Sequence, residues 1–88
     1  MNVVELIISP GAIKQLAALP RRDRNALLAK AEAFADDPFA PHPWASPLRG
    51  APDRIRIRQG DWRGVMLIVR ASNTVVLEKV ASRREVYR

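Results

Sequence analysis

Arg54-Ile55-Arg56-Ile57-Arg58, then Gln59-Gly60-Asp61, then Trp62-Arg63-Gly64-Val65-Met66-Leu67-Ile68-Val69-Arg70, is the stretch that decides the fold. Strict alternation over residues 54–58 has the two-residue period of a strand, so Ile55 and Ile57 point to one side and Arg54, Arg56 and Arg58 to the other. One face is buried and the other is cationic. Gln59-Gly60-Asp61 carries the chemistry of a tight turn. Residues 62–70 are apolar on both faces, as a central strand is. Ser72-Asn73 then turns the chain again, and Val75 to Ala81 forms a third extended run. Short turns between successive strands predict an antiparallel sheet.

Working outward toward the N-terminus, Pro38 to Pro47 holds four of the seven prolines and reads as a connector, able to form neither helix interior nor central strand. Before it, Leu27, Ala31, Phe34 and Ala35 recur at helical spacing, so a helix is expected from Arg21 to Ala35, with Asp36-Asp37-Pro38 as its exit. A shorter helix is expected between Ser9, a natural N-cap in front of Pro10, and Leu19-Pro20, with Ile13, Leu16 and Ala17 on its apolar face. Residues 2–8, rich in Val and Ile, read as a strand; Glu5 within them and the lack of a basic leader speak against a signal peptide. The expected architecture is therefore α+β in the order strand-helix-helix-strand-strand-strand. A helical hairpin packs on one face of a mainly antiparallel sheet, within one domain spanning residues 1–88.

Composition narrows the function. The chain has no cysteine, which removes disulfides, thiolate catalysis and cysteine-based metal sites. No apolar run approaches the ~20 residues that cross a bilayer, so no membrane role is expected and the cytoplasm is the default compartment. Fifteen basic against nine acidic residues leave a net charge of +6, and arginine outnumbers lysine twelve to three. Arginine presents a planar, permanently charged fork that grips phosphate or carboxylate at two points, so the expected partner is an anion.

Two segments can carry chemistry. In the row Arg54, Arg56 and Arg58, same-face neighbours lie about 7 Å apart, comparable to successive phosphates of an extended single strand. Arg63, across the turn, joins the row if register brings it to the same face. The second segment is the tail Ser82-Arg83-Arg84-Glu85-Val86-Tyr87-Arg88, with the sole tyrosine. Arginine cannot accept a proton near neutrality, so a phosphodiester-cleaving site built from it needs another group to take the 2'-hydroxyl proton; Tyr87, its phenolate favoured by cationic neighbours, fits that need. His42 reads as an ordinary loop residue, and Trp44 and Trp62 as packing residues. No spacing suggests a metal site or a glycine-rich phosphate loop, so no cofactor is expected.

Four segments together resemble the RelE/ParE superfamily of toxin-antitoxin systems: Ser9-Pro10-Gly11-Ala12-Ile13-Lys14 with Leu19-Pro20, then Leu48-Arg49-Gly50, then Arg54 to Arg63, then Val80 to Arg88. The resemblance covers nearly the whole chain and implies the same element order. It also implies a type II toxin: a metal-independent mRNA endoribonuclease, cleaving mRNA on the ribosome and held by a cognate antitoxin. The alternative is a ParE-like inhibitor of DNA gyrase on the same scaffold. By the resemblance Arg63, Arg83 and Tyr87 are catalytic and Arg54 and Arg56 line the RNA site; Arg58, from the strand row, and Arg84, from the tail, are expected to bind RNA beside them. Two departures stand out. Ala81-Ser82-Arg83 replaces the frequent Gly-His-Arg, and Asp61-Trp62-Arg63 replaces Asp-Tyr-Arg.

Overall fold

A computed structural model describes residues 4–85. The elements run β1 (Glu5–Ile8), α1 (Pro10–Ala17), α2 (Arg21–Asp36), β2 (Ala45–Leu48), β3 (Ala51–Gln59), β4 (Trp62–Val69) and β5 (Thr74–Ser82), with a short 3-10 turn at Arg70–Ser72. They form one five-stranded sheet in the order β1-β5-β4-β3-β2, under a pair of helices. The α+β class and the helical hairpin stand as the sequence indicates.

Local chemistry sets the first boundaries. The Ser9 hydroxyl accepts the Ala12 N–H at 3.1 Å and donates to the Glu78 carbonyl at 3.1 Å, so one side chain both caps α1 and ties it to β5. Pro10 occupies the first helical turn, where a missing N–H costs nothing. The chain turns at Leu19, and Pro20 opens α2 by accepting the Arg24 N–H on its carbonyl. Asp37, in extended conformation ahead of Pro38, ends that helix.

Sheet register then sorts the side chains. Ile57 pairs with Gly64, and Gly64 with Val80; Ile55 pairs with Met66, and Met66 with Leu77. These residues face the helices and join Ala12, Leu16, Leu27, Ala31 and Phe34 in one core. Leu27, Ile57, Met66, Leu77, Val75 and Val80 are its largest fully buried side chains. At Gly64 the packing leaves little room, since a Cβ there would stand 3.2 Å from Leu77 and 3.5 Å from Leu27 of α2.

One feature departs from the sequence expectation, and a second settles what it left open. The proline-rich connector contains an additional strand, β2, antiparallel to β3 with Ser46 opposite Arg56 and Pro47 opposite Ile55. It lies at the sheet edge, where proline's missing donor leaves no ladder bond unmade, and the register shifts directly after Pro47. Secondly, β1 pairs with β5 in parallel. The two helices supply the long connection that carries the chain from this edge to the other.

Candidate functional site: an arginine cleft at the sheet edge

On the face opposite the helices, Arg58 and Arg63 are directly paired across β3 and β4. Alternation places Arg54 and Arg56 on that same side, because Ile55 and Ile57 point into the core. Val65 and Ala81, in register with Arg56 and Arg63, are nonetheless nearly buried and lie outside the core cluster. Side chains therefore lie across this face, and the long aliphatic stems of the arginines are suited to cover it.

Arg56, Arg58 and Arg63 line one cleft together with Trp44 and Ser46. Arg56 donates to the Ser46 hydroxyl at 3.2 Å, so the unexpected edge strand helps hold a cationic head. Arg63 donates to the Gly60 carbonyl at 2.7 Å and the Trp62 carbonyl at 2.8 Å. Its pKa lies below the usual arginine value, first because the group is partly desolvated, then because Arg56, Arg58 and Arg83 repel its charge; Asp61 opposes the shift. Three other guanidinium groups thus act on the charge of Arg63.

The turn that anchors Arg63 is itself anchored. Gly60, at φ +55°, takes the left-handed conformation that a side chain resists. From α2, the Lys30 ammonium donates to the Arg58 carbonyl at 2.9 Å and to Gln59 Oε1 at 2.8 Å, while Gln59 Nε2 donates to Asp23 at 3.5 Å. Beyond the turn, the Arg83 N–H donates to the Asp61 carbonyl at 2.8 Å, fixing the end of β5 beside it.

The candidate residues divide accordingly. Arg56, Arg58 and Arg63 converge in one cleft, and Arg83 lies within electrostatic reach of Arg63. Arg83 and Arg84 line a neighbouring cleft with Asp61 and Ser82. Arg54 stands apart, with Nε 2.6 Å from Glu78 Oε1, a pairing that raises its pKa through the hydrogen bond and then the charge. Tyr87 lies outside the described residues. Sequence reasoning did not single out Ser46, Lys30 or Glu78. Each acts through a contact distant in the chain, and only the strand hidden among prolines left a trace, in Ala45-Ser46 between Trp44 and Pro47.

His42, read as a loop residue, has a structural role. Its ring stacks on Trp44 at 4.7 Å between centroids, and Nε2 lies 2.8 Å from the Asp37 carbonyl, to which its N–H donates. Among the described residues no group of three His, Asp or Glu side chains is placed to hold a metal ion. No helix among them is long and apolar enough to cross a membrane.

No protein-family model matches the chain, and no curated protein sequence matches it. Solved structures do. The isolated RelE toxin of E. coli superposes with a TM-score of 0.78 at 25% identity, covering 96% of this chain and 90% of that one. The RelE-RelB complex of the archaeon Pyrococcus horikoshii gives 0.78 at 20% identity, covering 94% and 98%. The intact RelBE toxin-antitoxin complex of E. coli gives 0.76 at 22% identity, covering 90% and 95%. Agreement over nine-tenths of both chains leaves no large element unmatched, and the chain is RelE-like: it has the fold of the RelE toxins.

Proposed function

We propose that this chain is the toxin of a type II toxin-antitoxin pair, and that it cleaves mRNA on the ribosome without a metal ion. The observation that carries the reading is the meeting of Arg56, Arg58 and Arg63 in one cleft with Arg83 close by. Like charges gathered on one face repel, and an anion that binds them offsets that cost. A phosphodiester in transition to a pentacovalent state, carrying an extra negative charge, is the anion such a site stabilises best.

In the proposed reaction the ribose 2'-oxygen attacks the adjacent phosphorus, the bond to the 5'-oxygen breaks, the departing oxygen takes a proton from water, and a 2',3'-cyclic phosphate and a 5'-hydroxyl result. Arg63 and Arg83 face the reacting phosphate, while Arg56 and Arg58 hold the flanking backbone. Arg54 and Arg84 extend the cationic surface. Tyr87 takes the 2'-hydroxyl proton, a role that none of the arginines can fill. Fixed cations aimed at developing charge typically contribute about 100-fold or more each.

The fold supports the toxin assignment, since the chain shares it with RelE toxins, some captured with their RelB antitoxin. By that reading a cognate antitoxin, acidic and folding as it binds, covers the cationic face in the cytoplasm. The gyrase-directed alternative gains no support, because the neighbours named above are RelE toxins.

The test is expression without antitoxin. Growth should stop, Arg63→Ala and Tyr87→Phe should each restore it, and co-expression of the antitoxin should do the same. Arrest that persists with a soluble, folded double variant contradicts the assignment.

A further inference from the structure

Lys30 and Trp44 stand at the end of the arginine cleft, on different elements, and neither belongs to the set of cationic site residues. Trp44 lines the cleft that holds Arg56, Arg58 and Arg63. The same indole lines a second, shallower groove whose other walls are Lys30, Pro43, Arg58 and Gly60. The two grooves share Pro43, Trp44 and Arg58, so they form one path around the sheet edge, cationic at each end and aromatic in the middle.

The indole in that path is held in place. His42 stacks against it, and the Lys30 ammonium stands 6.0 Å from its ring centroid. Lys30 is held in turn by the Arg58 carbonyl and Gln59, which use two of its three donors. A fixed aromatic between fixed cations is the arrangement by which proteins hold unpaired bases while tracking a nucleic-acid backbone. Trp44 also touches the core and is half-buried, so its position costs little further ordering when a base arrives.

We propose that Trp44 and Lys30 form a second nucleotide subsite, taking an unpaired nucleotide of single-stranded RNA next to the phosphate held by the arginines. The base lies against the Trp44 indole, and Lys30 and Arg58 face the phosphate on its far side. The proposal rests on the RNA-cleaving reading of the same cleft and adds to it a determinant of substrate length. An RNA that reaches past Trp44 binds more tightly than one that ends before it.

The test reads binding separately from cleavage. Trp44 and Trp62 are the only tryptophans, so Trp62→Phe leaves Trp44 as the sole indole reporter. Titration of that variant with a short 2'-O-methyl oligoribonucleotide, which cannot be cleaved, should quench its emission. In the otherwise native chain, Trp44→Ala should weaken binding of that oligonucleotide about ten-fold, in line with the loss of one stacked base, and Trp44→Phe should retain most of the affinity. A dinucleotide too short to reach the subsite should bind the native and Trp44→Ala chains equally.

Unquenched emission with the oligonucleotide bound overturns the subsite, and does so even if Trp44→Ala fails to fold. Cleavage by the native chain with no response at Trp44 removes the subsite and leaves the ribonuclease. Quenching without cleavage of ribosome-bound mRNA by the native chain retains the subsite and removes the ribonuclease. Failure of the oligonucleotide to bind the free chain removes the subsite and leaves the ribosome-bound cleavage to be read from transcript ends.

Discussion

Arg54 and Glu78 form a 2.6 Å ion pair that holds the first arginine of the β3 row to a carboxylate on β5. Alternation alone makes Arg54 equivalent to Arg56 and Arg58. The pairing makes it unlike Arg58, which stands directly opposite Arg63, because an arginine whose charge is already balanced gains less from a phosphate than one set beside another cation. Arg54→Ala should therefore weaken RNA binding less than Arg58→Ala. Glu78→Gln should strengthen it and steepen its decline with salt, since one more cation is then released to the backbone. Oligonucleotide titrations at several ionic strengths check both, and equal losses for Arg54→Ala and Arg58→Ala would show that the pair has no influence.

Arg63 reaches two backbone carbonyls of its own turn, and so depends on guanidinium geometry as well as charge. Arg63→Lys keeps the charge and loses the fork. Its cleavage rate should fall by about 100-fold, close to that of Arg63→Ala. A lysine variant with nearly native turnover would show that charge alone suffices.

Lys30 anchors that turn from α2 through the Arg58 carbonyl and Gln59. Lys30→Met keeps the aliphatic stem and removes both bonds. Unfolding free energy should drop by about 1–2 kcal/mol, the usual cost of losing bonds to a charged donor, and cleavage should slow in a protein that remains folded. Denaturant titration together with single-turnover rates separates the two effects. Unchanged stability and unchanged rate would mean that the tether is incidental.

Gly60 takes φ +55°, and a Cβ there meets only Asp23 at 4.0 Å, so room is available and conformation is the obstacle. Gly60→Ala should destabilise by about 1–2 kcal/mol through the left-handed backbone, and should also disturb Arg63, which binds the Gly60 carbonyl. Thermal unfolding checks the first effect and cleavage rate the second.

Much of this was legible in the chain because the signals were local. The Arg-Ile-Arg-Ile-Arg alternation announced a strand with one cationic face, Ser9-Pro10 announced a capped helix, and Gly60 announced a turn; all three are present. The strand at Ala45–Leu48 was not legible, because Pro43 and Pro47 read as breakers unless the strand is known to lie at an edge. Glu78 gave no sign of pairing with Arg54. In register, Val65 faces Lys79 and Met66 faces Leu77, so Glu78 is the extra residue of a bulge, a displacement that alternation cannot anticipate. The convergence of Arg58 with Arg63 depended on turn register, which the sequence left open and the structure provides as a direct pair.

The central claim is that the clustered arginines act on an RNA phosphodiester, and it is tested most directly by mapping transcript ends. The native chain and Arg63→Ala are induced without antitoxin, and cellular RNA is sampled over the following minutes. New ends within coding regions, bearing 2',3'-cyclic phosphate upstream and 5'-hydroxyl downstream, should appear with the native chain and be absent with the variant. Intact transcripts in arrested cells, above all with altered DNA supercoiling, would contradict the account.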